Sequence, residues 1–377
     1  MKRYQRGSIR QHRGGWEVRL MVNGRTYYER LSGGFGGATR RDAEIVLEAL
    51  VQAADSGSAD LTVRDAVERY VSAKEGSWSP STRKTQPYHV QAIVDAVGSV
   101  GLHLLKPSTI QDAYDTWIAD EVSPGTVKRR HGVLRAALNH AVTRGWIGRT
   151  PIQGVEVPKQ EVAPMDLPSH ERVAAAIDRL PKKQRRLQVV AGLALASGAR
   201  RGELVALRWQ DINFDEATVR LNASVAEGPK GLVRKATKTG SSRTINLDPE
   251  TMADLKRWRA ECAEHALQMG VALNEMSPVF GAPADPTSPV KPGRLTQDWG
   301  RWREKIGLDG LRFHDLRHRH ATTLLEEGIP VHQVAYRLGH ASAVITMAVY
   351  AHAIRGNDEA SAQAITRARH GSTSAVS

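Results

Sequence analysis

The spacing of apolar positions changes along the 377-residue chain, and each change marks a boundary. In GGWEVRLMVNGRTYYERL, Trp16, Val18, Leu20 and Val22 alternate with Glu17, Arg19 and Met21, the period-two pattern of a strand. Asn23-Gly24 follows; both residues tolerate positive φ, which suits a tight hairpin turn. GSIRQHR, just before, supplies a third strand, and ATRRDAEIVLEALVQAA (38–54) a helix to cover the sheet. From residue 61 the period is helical. In LTVRDAVERYVSAKEG, Thr62 is placed to cap a helix with Asp65 three residues on, and Val63, Ala66, Val67, Tyr70 and Val71 share one side. STRKTQPYHVQAIVDAVG, STIQDAYDTWIAD and SPGTVKRRHGVLRAALNHAVTRGW predict further helices, the last with Leu134, Leu138 and Val142 as its buried stripe.

Three prolines within 158–168 and little periodicity mark an interdomain linker. Beyond it the pattern is mixed. Helices are expected at 169–180, 184–197 and 201–208, then a strand at 217–224 and a hairpin across 231–247 with Gly240 and Ser241 in its turn. More helices follow at 249–268, 294–305, 314–327, 330–338 and 342–352, before a polar tail. No fixed-period repeat or low-complexity tract interrupts this order.

Composition narrows the class. Apolar content of 41% and charged content of 25% are globular values. A single cysteine, Cys262, excludes an intramolecular disulfide and suits a reducing cytoplasm. The start, MKRYQRGSIRQHRGG, has no apolar core of a secretory signal, and LQVVAGLALA (187–196) is too short to span a bilayer. The formal charge of +13 favours a polyanionic partner, most often nucleic acid. Residues 1–41 alone carry ten Lys/Arg against Glu17 and Glu29. A basic three-stranded sheet can enter a DNA groove, whereas a merely solvated surface is the plainer reading.

Four stretches could carry chemistry. In ASGARRGELVALRW, Arg200 and Glu203 read either as a surface ion pair or as an inward arginine, held by a carboxylate, that grips two phosphate oxygens. Lys238, on the tip side of the expected hairpin, is either a solubilising lysine or a mobile proton donor. In LRFHDLRHRHATTLL, His314 and Arg317 share a helix face, and His314 with His318 has the i, i+4 spacing of two metal ligands. Arg317 beside a cation and the lack of a carboxylate partner favour phosphate over zinc. In YRLGHASAVITMAVYAHAI, His340 taken alone reads as a capping or core histidine, and Tyr350 as a core aromatic among Val344, Met347 and Val349. The cluster Lys128, Arg129, Arg130 and His131 is a solvated helix face or a phosphate-contacting one.

Taken in order, G-A-R-x-G-E-L-x-x-L-x-W, T-K-T-G, H-D-L-R-H-x-x-A-T, L-G-H and a following Tyr resemble the catalytic motifs of the tyrosine recombinases, of the phage or mobile-element integrase type. The likeness spans nearly the whole chain. It implies a multidomain fold: a small β-sheet plus helix arm-type DNA-binding domain (1–56), an all-α core-binding domain (61–153), a linker (154–168), a mixed α+β but mainly α catalytic domain of the tyrosine recombinase and type IB topoisomerase kind (169–360), and a tail (361–377). Thr150-Pro151 stands where relatives commonly have Asn-Pro, a difference confined to a turn. The resemblance implies Arg200 and Arg317 on the scissile phosphate, His314 and His340 beside them, Lys238 as proton donor, Tyr350 as nucleophile and Glu203 in support. His318, Arg319 and His320 are left with supporting or structural positions. Neither a metal nor another cofactor is expected. DNA contacts are expected from Arg10, Arg13, Arg19, Arg25, Lys128, Arg129 and Arg130. The implied partners are double-stranded DNA with core-type and arm-type attachment sites, three further copies of the chain, a host DNA-bending factor and an excision factor, in the cytoplasm of a bacterial host and away from membranes. A type IB topoisomerase, a chromosome-dimer resolvase and a catalytically silent DNA-binding regulator are the alternatives.

Overall fold

The computed structural model describes residues 4–12, 14–22, 25–31, 37–56, 58–159, 167–236 and 242–354, with 362, 365, 366 and 369; for 4–6, 22, 25, 55, 56, 236 and 351–354 it describes the backbone alone. Arg13, Lys238 and residues 160–166 lie outside the described residues, and so does the Arg25 side chain. The chain divides into two compact units, Met1–Ala163 and Pro164–Ser377.

In the first unit, β1 (Tyr4–His12), β2 (Gly15–Val22) and β3 (Arg25–Leu31) form an antiparallel meander. Alternation along β2 turns Val18 and Leu20 toward α1 (Arg40–Ser56), where they bury against Ala43, Val46, Leu50 and Ala53. Glu17, on the opposite face, is nonetheless only 2% exposed. The register sets Arg10 and Arg30 directly across from it on the flanking strands. Their Nε atoms donate to its carboxylate at 2.8 and 3.1 Å, and Arg19 lies 3.7 Å away. These hydrogen bonds, Arg30 foremost, hold the Glu17 carboxyl below its ordinary pKa.

The rest of this unit is helical. Helix α2 (Val63–Lys74) starts at the expected capping box: Thr62 Oγ1 accepts from the Asp65 N–H at 3.2 Å, and Asp65 Oδ2 accepts from the Thr62 N–H at 2.8 Å. Helices α3 (Pro80–Val97), α4 (Pro107–Ala119) and α5 (Pro124–Thr143) each begin on a proline, where the missing N–H leaves no bond unmade. Val67, Ile93, Ile110, Tyr114, Leu134 and Leu138 meet in their shared core. The α5 stripe continues through Ala141, while Val142 is half-buried, because the helical repeat favours i+7 over i+8 here. Arg130 lays its guanidinium over the Trp117 ring at 4.5 Å, whereas Lys128 and Arg129 are exposed.

The second unit begins with α6 (His170–Asp178), α7 (Arg185–Ser197) and α8 (Arg201–Ala206). Helix α7 is its centre: Leu187, Val190, Leu193 and Ala194 are buried in one core with Leu204, Trp209, Phe280, Trp299 and Leu316. Strands β4 (Ile212–Asn213), β5 (Thr218–Leu221), β6 (Ala223–Gly228), β7 (Gly231–Ala236) and β8 (Arg243–Asn246) follow. Their pairing corrects the hairpin expected across 231–247. β7 pairs with β6 across Pro229-Lys230, and β8 pairs with β5, while Gly240 and Ser241 lie outside the described residues. Burial decides it: Val219 and Leu221 on β5 need Ile245 beside them in the core. Helix α9 (Pro249–Gln268), a small ladder of β9 (Gly281–Ala282) and β10 (Asp285–Pro289), and helices α10 (Pro292–Arg303), α11 (Asp315–Glu326), α12 (Val331–Leu338) and α13 (Ala343–Ile354) complete the unit. Among the described residues no helix is long and apolar enough to cross a membrane.

Thr62→Ala removes one half of the α2 capping box and should lower the unfolding free energy by about 1 kcal/mol. Urea titration of wild type and variant measures it; equal midpoints would mean that the cap contributes nothing.

Candidate active site

The site grows from the end of α7. Gly198 closes that helix at φ +63, a left-handed conformation, and a Cβ there would come within 2.6 Å of the His320 ring. Arg200 follows in extended backbone as the residue before α8. Glu203, one turn into α8 and 2% exposed, accepts from the Arg200 N–H at 2.9 Å and from Arg200 Nη1 at 3.0 Å. Arg200 Nη2 continues to the Gly339 carbonyl at 3.2 Å, at the end of α12.

A second arginine completes this arrangement. Arg243 opens β8 on the same inward face as Ile245 and is buried. Its Nη2 donates to Glu203 Oε2 at 2.8 Å and its Nε to the Arg337 carbonyl at 2.8 Å. Burial alone would raise the Glu203 pKa; Arg243 and Arg200 outweigh it, and the carboxyl is held below its ordinary value. Gly339 sits at φ +66 with Arg243 so close that a Cβ would lie 2.5 Å from Nη1, so only glycine fits between His340 and this guanidinium.

Helix α11 brings the third arginine. Arg317 is 3% exposed, and its Nη1 donates to the Gly198 carbonyl at 2.7 Å. Its Nη2 is buried with no hydrogen-bond partner among the described residues. Burial, then Arg200, pushes its pKa down to about 9, with Glu203 opposing. A buried guanidinium with a donor left unmade is a costly arrangement unless an anion completes it.

The imidazoles line the same cluster. His314, exposed at the start of α11, has a pKa pushed down to about 4 by partial desolvation and by His318 and Arg317. His340 follows Gly339, and its Nδ1 lies 2.7 Å from Oγ1 of the fully buried Thr346. When Thr346 donates, the His340 Nε2–H is free to point at a ligand. Burial, Arg317 and Arg200 bring its pKa to about 4. Tyr350 is 2% exposed, at a break in α13 where its backbone leaves the helical region (φ −114, ψ 21). It packs with Ala321, Leu325, Val334 and Leu338, while Val344, Met347 and Val349 of its own helix are exposed. Burial pushes its pKa up to about 12, with Arg317 pulling the other way.

Two further residues join this cluster from outside the expected set. His318, given only a supporting place from sequence, has its Nδ1 2.8 Å from the Tyr350 hydroxyl. The i, i+4 spacing that first suggested a metal instead packs the His314 ring edge-on to His318, with centroids 5.0 Å apart. Arg243 was read only as part of a hairpin, and the alternation Arg243, Ile245 was the signal that it faces inward. Lys238 belongs to residues 237–241, between β7 and β8, outside the described residues. Among the described residues no three His, Cys, Asp or Glu side chains are grouped to hold a metal ion.

Glu203→Gln leaves Arg243 buried without its counter-charge and should destabilise the protein by roughly 3 kcal/mol at neutral pH. The Glu203 pKa is lowered on folding, so its contribution is complete above the unfolded carboxyl range and is lost as pH falls through the lower folded value. The gap in thermal midpoint between wild type and variant should therefore close as pH drops below about 4. A gap that stays unchanged down to pH 3 would contradict the pairing.

The model of the phage integrase family matches residues 169–355, nearly half of the chain and the whole of this site. A protein described as tyrosine recombinase XerC-like, from Caldanaerobacter subterraneus subsp. tengcongensis, is 25% identical over 344 residues, covering 85% of this chain and 88% of the relative. Among solved structures, the Tn1549 transposon integrase in complex with a circular intermediate DNA superposes with a TM-score of 0.68 at 18% identity, covering 81% of this chain and all of that one. A lambda integrase tetramer bound to a Holliday junction superposes with a TM-score of 0.57 at 20% identity, covering 88% and 92%. With the ordered motifs, the family match identifies residues 169–355 as a phage integrase family domain, in a chain similar over most of its length to tyrosine recombinases of the integrase type.

Proposed function

We propose that the chain cuts and rejoins double-stranded DNA at attachment sites through a 3′-phosphotyrosine on Tyr350, and so integrates and excises a phage or mobile element. The observation that carries this reading is the buried Nη2 of Arg317, without a partner among the described residues, in a cluster with Arg200, His340 and Tyr350. A phosphodiester is the ligand that such a site suits. Attack on phosphorus gathers negative charge on the two non-bridging oxygens, and the forks of Arg200 and Arg317 can donate to both. The His340 Nε2–H adds a third donor. Glu203 and Arg243 hold the clamp without touching DNA.

The chemistry needs no external energy. Tyr350 Oη forms a bond to phosphorus, the bond to the 5′ oxygen breaks, and Lys238 gives that oxygen a proton. His314, at the exposed rim, assists proton transfer. The phosphotyrosyl link keeps the energy of the broken bond, so a 5′-hydroxyl from a partner duplex can attack it and exchange strands through a Holliday junction. Charge stabilisation by guanidinium and imidazole makes a divalent cation unnecessary.

Residues 1–56 serve an arm-type site, 61–153 a core-type site and 169–360 catalysis, joined by the linker 154–168. The face of β1–β3 that carries Arg10, Arg19 and Arg30 around Glu17 supports the first assignment, since one carboxylate fixes several cations in register. Exposed Lys128 and Arg129 support the second. Four protomers act on two duplexes in the bacterial cytoplasm, with a host bending factor and an excision factor setting direction and the tail 361–377 available for contacts between protomers.

A nicked suicide duplex carrying the attachment core should trap a covalent complex with wild type and none with Tyr350→Phe. Binding without trapping by both proteins would support a silent regulator, and trapping without recombination of paired sites a topoisomerase. EDTA should leave trapping unchanged. Loss of trapping restored by zinc would overturn the metal-free mechanism.

A further inference from the structure

The imidazole that touches the nucleophile is neither of the two assigned above. We propose that His318 is a catalytic residue of this chain, whose neutral Nδ1 takes the phenolic proton of Tyr350 as the tyrosine attacks phosphorus. This inference rests on the proposed function and adds the proton acceptor to it.

The geometry is direct. Nδ1 lies 2.8 Å from Tyr350 Oη, within reach of transfer without a bridging water. Tyr350 is almost wholly shielded from solvent, so bulk water does not compete for the proton. Next to Arg317 on α11, His318 is held by the same rigid element that presents the clamp. The groups around it come from three elements: Arg312, His314, Asp315 and Arg317 from the start of α11 and the residues before it, Tyr350 from α13, and His340 from the turn between α12 and α13. Burial, with Arg312 and Arg317, keeps His318 below its ordinary pKa against the pull of Asp315, so the ring is neutral at physiological pH and can accept. Tyr350, pushed up to about 12, keeps its proton until an acceptor removes it.

The step balances. The proton passes from Oη to Nδ1 of the Nε2–H tautomer, the Oη–P bond forms, and the P–O5′ bond breaks with the proton from Lys238. The resulting imidazolium is near the Asp315 carboxylate, which favours it. Rejoining reverses the path: the incoming 5′-hydroxyl attacks, the P–Oη bond breaks, and His318 returns the proton to Tyr350.

The test uses the full chain and a nicked suicide duplex bearing the directly repeated sequence that flanks the element, with single-turnover formation of the covalent complex followed from pH 4.5 to 8.5. Wild type should show an acid limb below the ordinary imidazole range, where His318 becomes protonated. His318→Asn, which keeps a polar atom in place, should slow the plateau about 100-fold and lose the limb. His318→Ala should bind the duplex normally and regain cleavage with added imidazole, a rescue that a purely structural role would not give. An Asn variant that keeps both rate and limb, or an Ala variant that binds but ignores imidazole, would overturn the assignment. If wild type forms no covalent complex, or Tyr350→Phe forms one equally well, the proposed function fails and this inference with it.

Discussion

Everything at this site depends on one buried carboxylate. Glu203 sits between Arg200 and Arg243 with almost no solvent contact, and without it the guanidiniums of Arg200, Arg243 and Arg317 would crowd together unopposed. One negative charge cannot neutralise three positive ones, so the pocket remains cationic after Glu203 is satisfied. That excess is what a phosphodiester needs. The carboxylate also acts at a distance through its partners. Arg243 reaches the Arg337 carbonyl and Arg200 the Gly339 carbonyl, which ties the end of α12, and with it His340, to the start of α8.

Backbone geometry does the remaining placement. The left-handed glycines at 198 and 339 end α7 and α12 abruptly, so each helix hands its next residues to the site. The Gly198 carbonyl anchors one end of the Arg317 fork, and the other end has no partner among the described residues. A half-satisfied buried arginine is unfavourable for folding by itself, and its persistence marks a place where binding has been favoured over stability. The tyrosine lies at a comparable exception, a non-helical residue within a helix.

Much of this was legible in the chain. The period change at residue 61, the Thr62–Asp65 cap and the helices of both units follow from local patterns that tertiary structure did not override. Arg200, Glu203, Arg317, His340 and Tyr350 were found from ordered motifs, and the structure brings them together. What was missed depends on pairing between distant segments. The strand at 243–246 has more than one strand it could pair with, and only the core around Val219 and Ile245 puts it beside β5. The inward place of Arg243 depends on that pairing. The His314–His318 spacing speaks only of the helix it lies on, whereas the partner of His318 is 32 residues away on another helix. Glu17 escaped for the same reason, because its burial comes from arginines on two neighbouring strands.

If this cluster delivers Tyr350 to a phosphodiester, the bond itself can be located. After trapping on a nicked suicide duplex, the protein is digested with nuclease and trypsin and the adduct mapped by mass spectrometry. A nucleotide joined through its 3′-phosphate should be found on the peptide of residues 338–355, at Tyr350. An adduct on any other residue would contradict it.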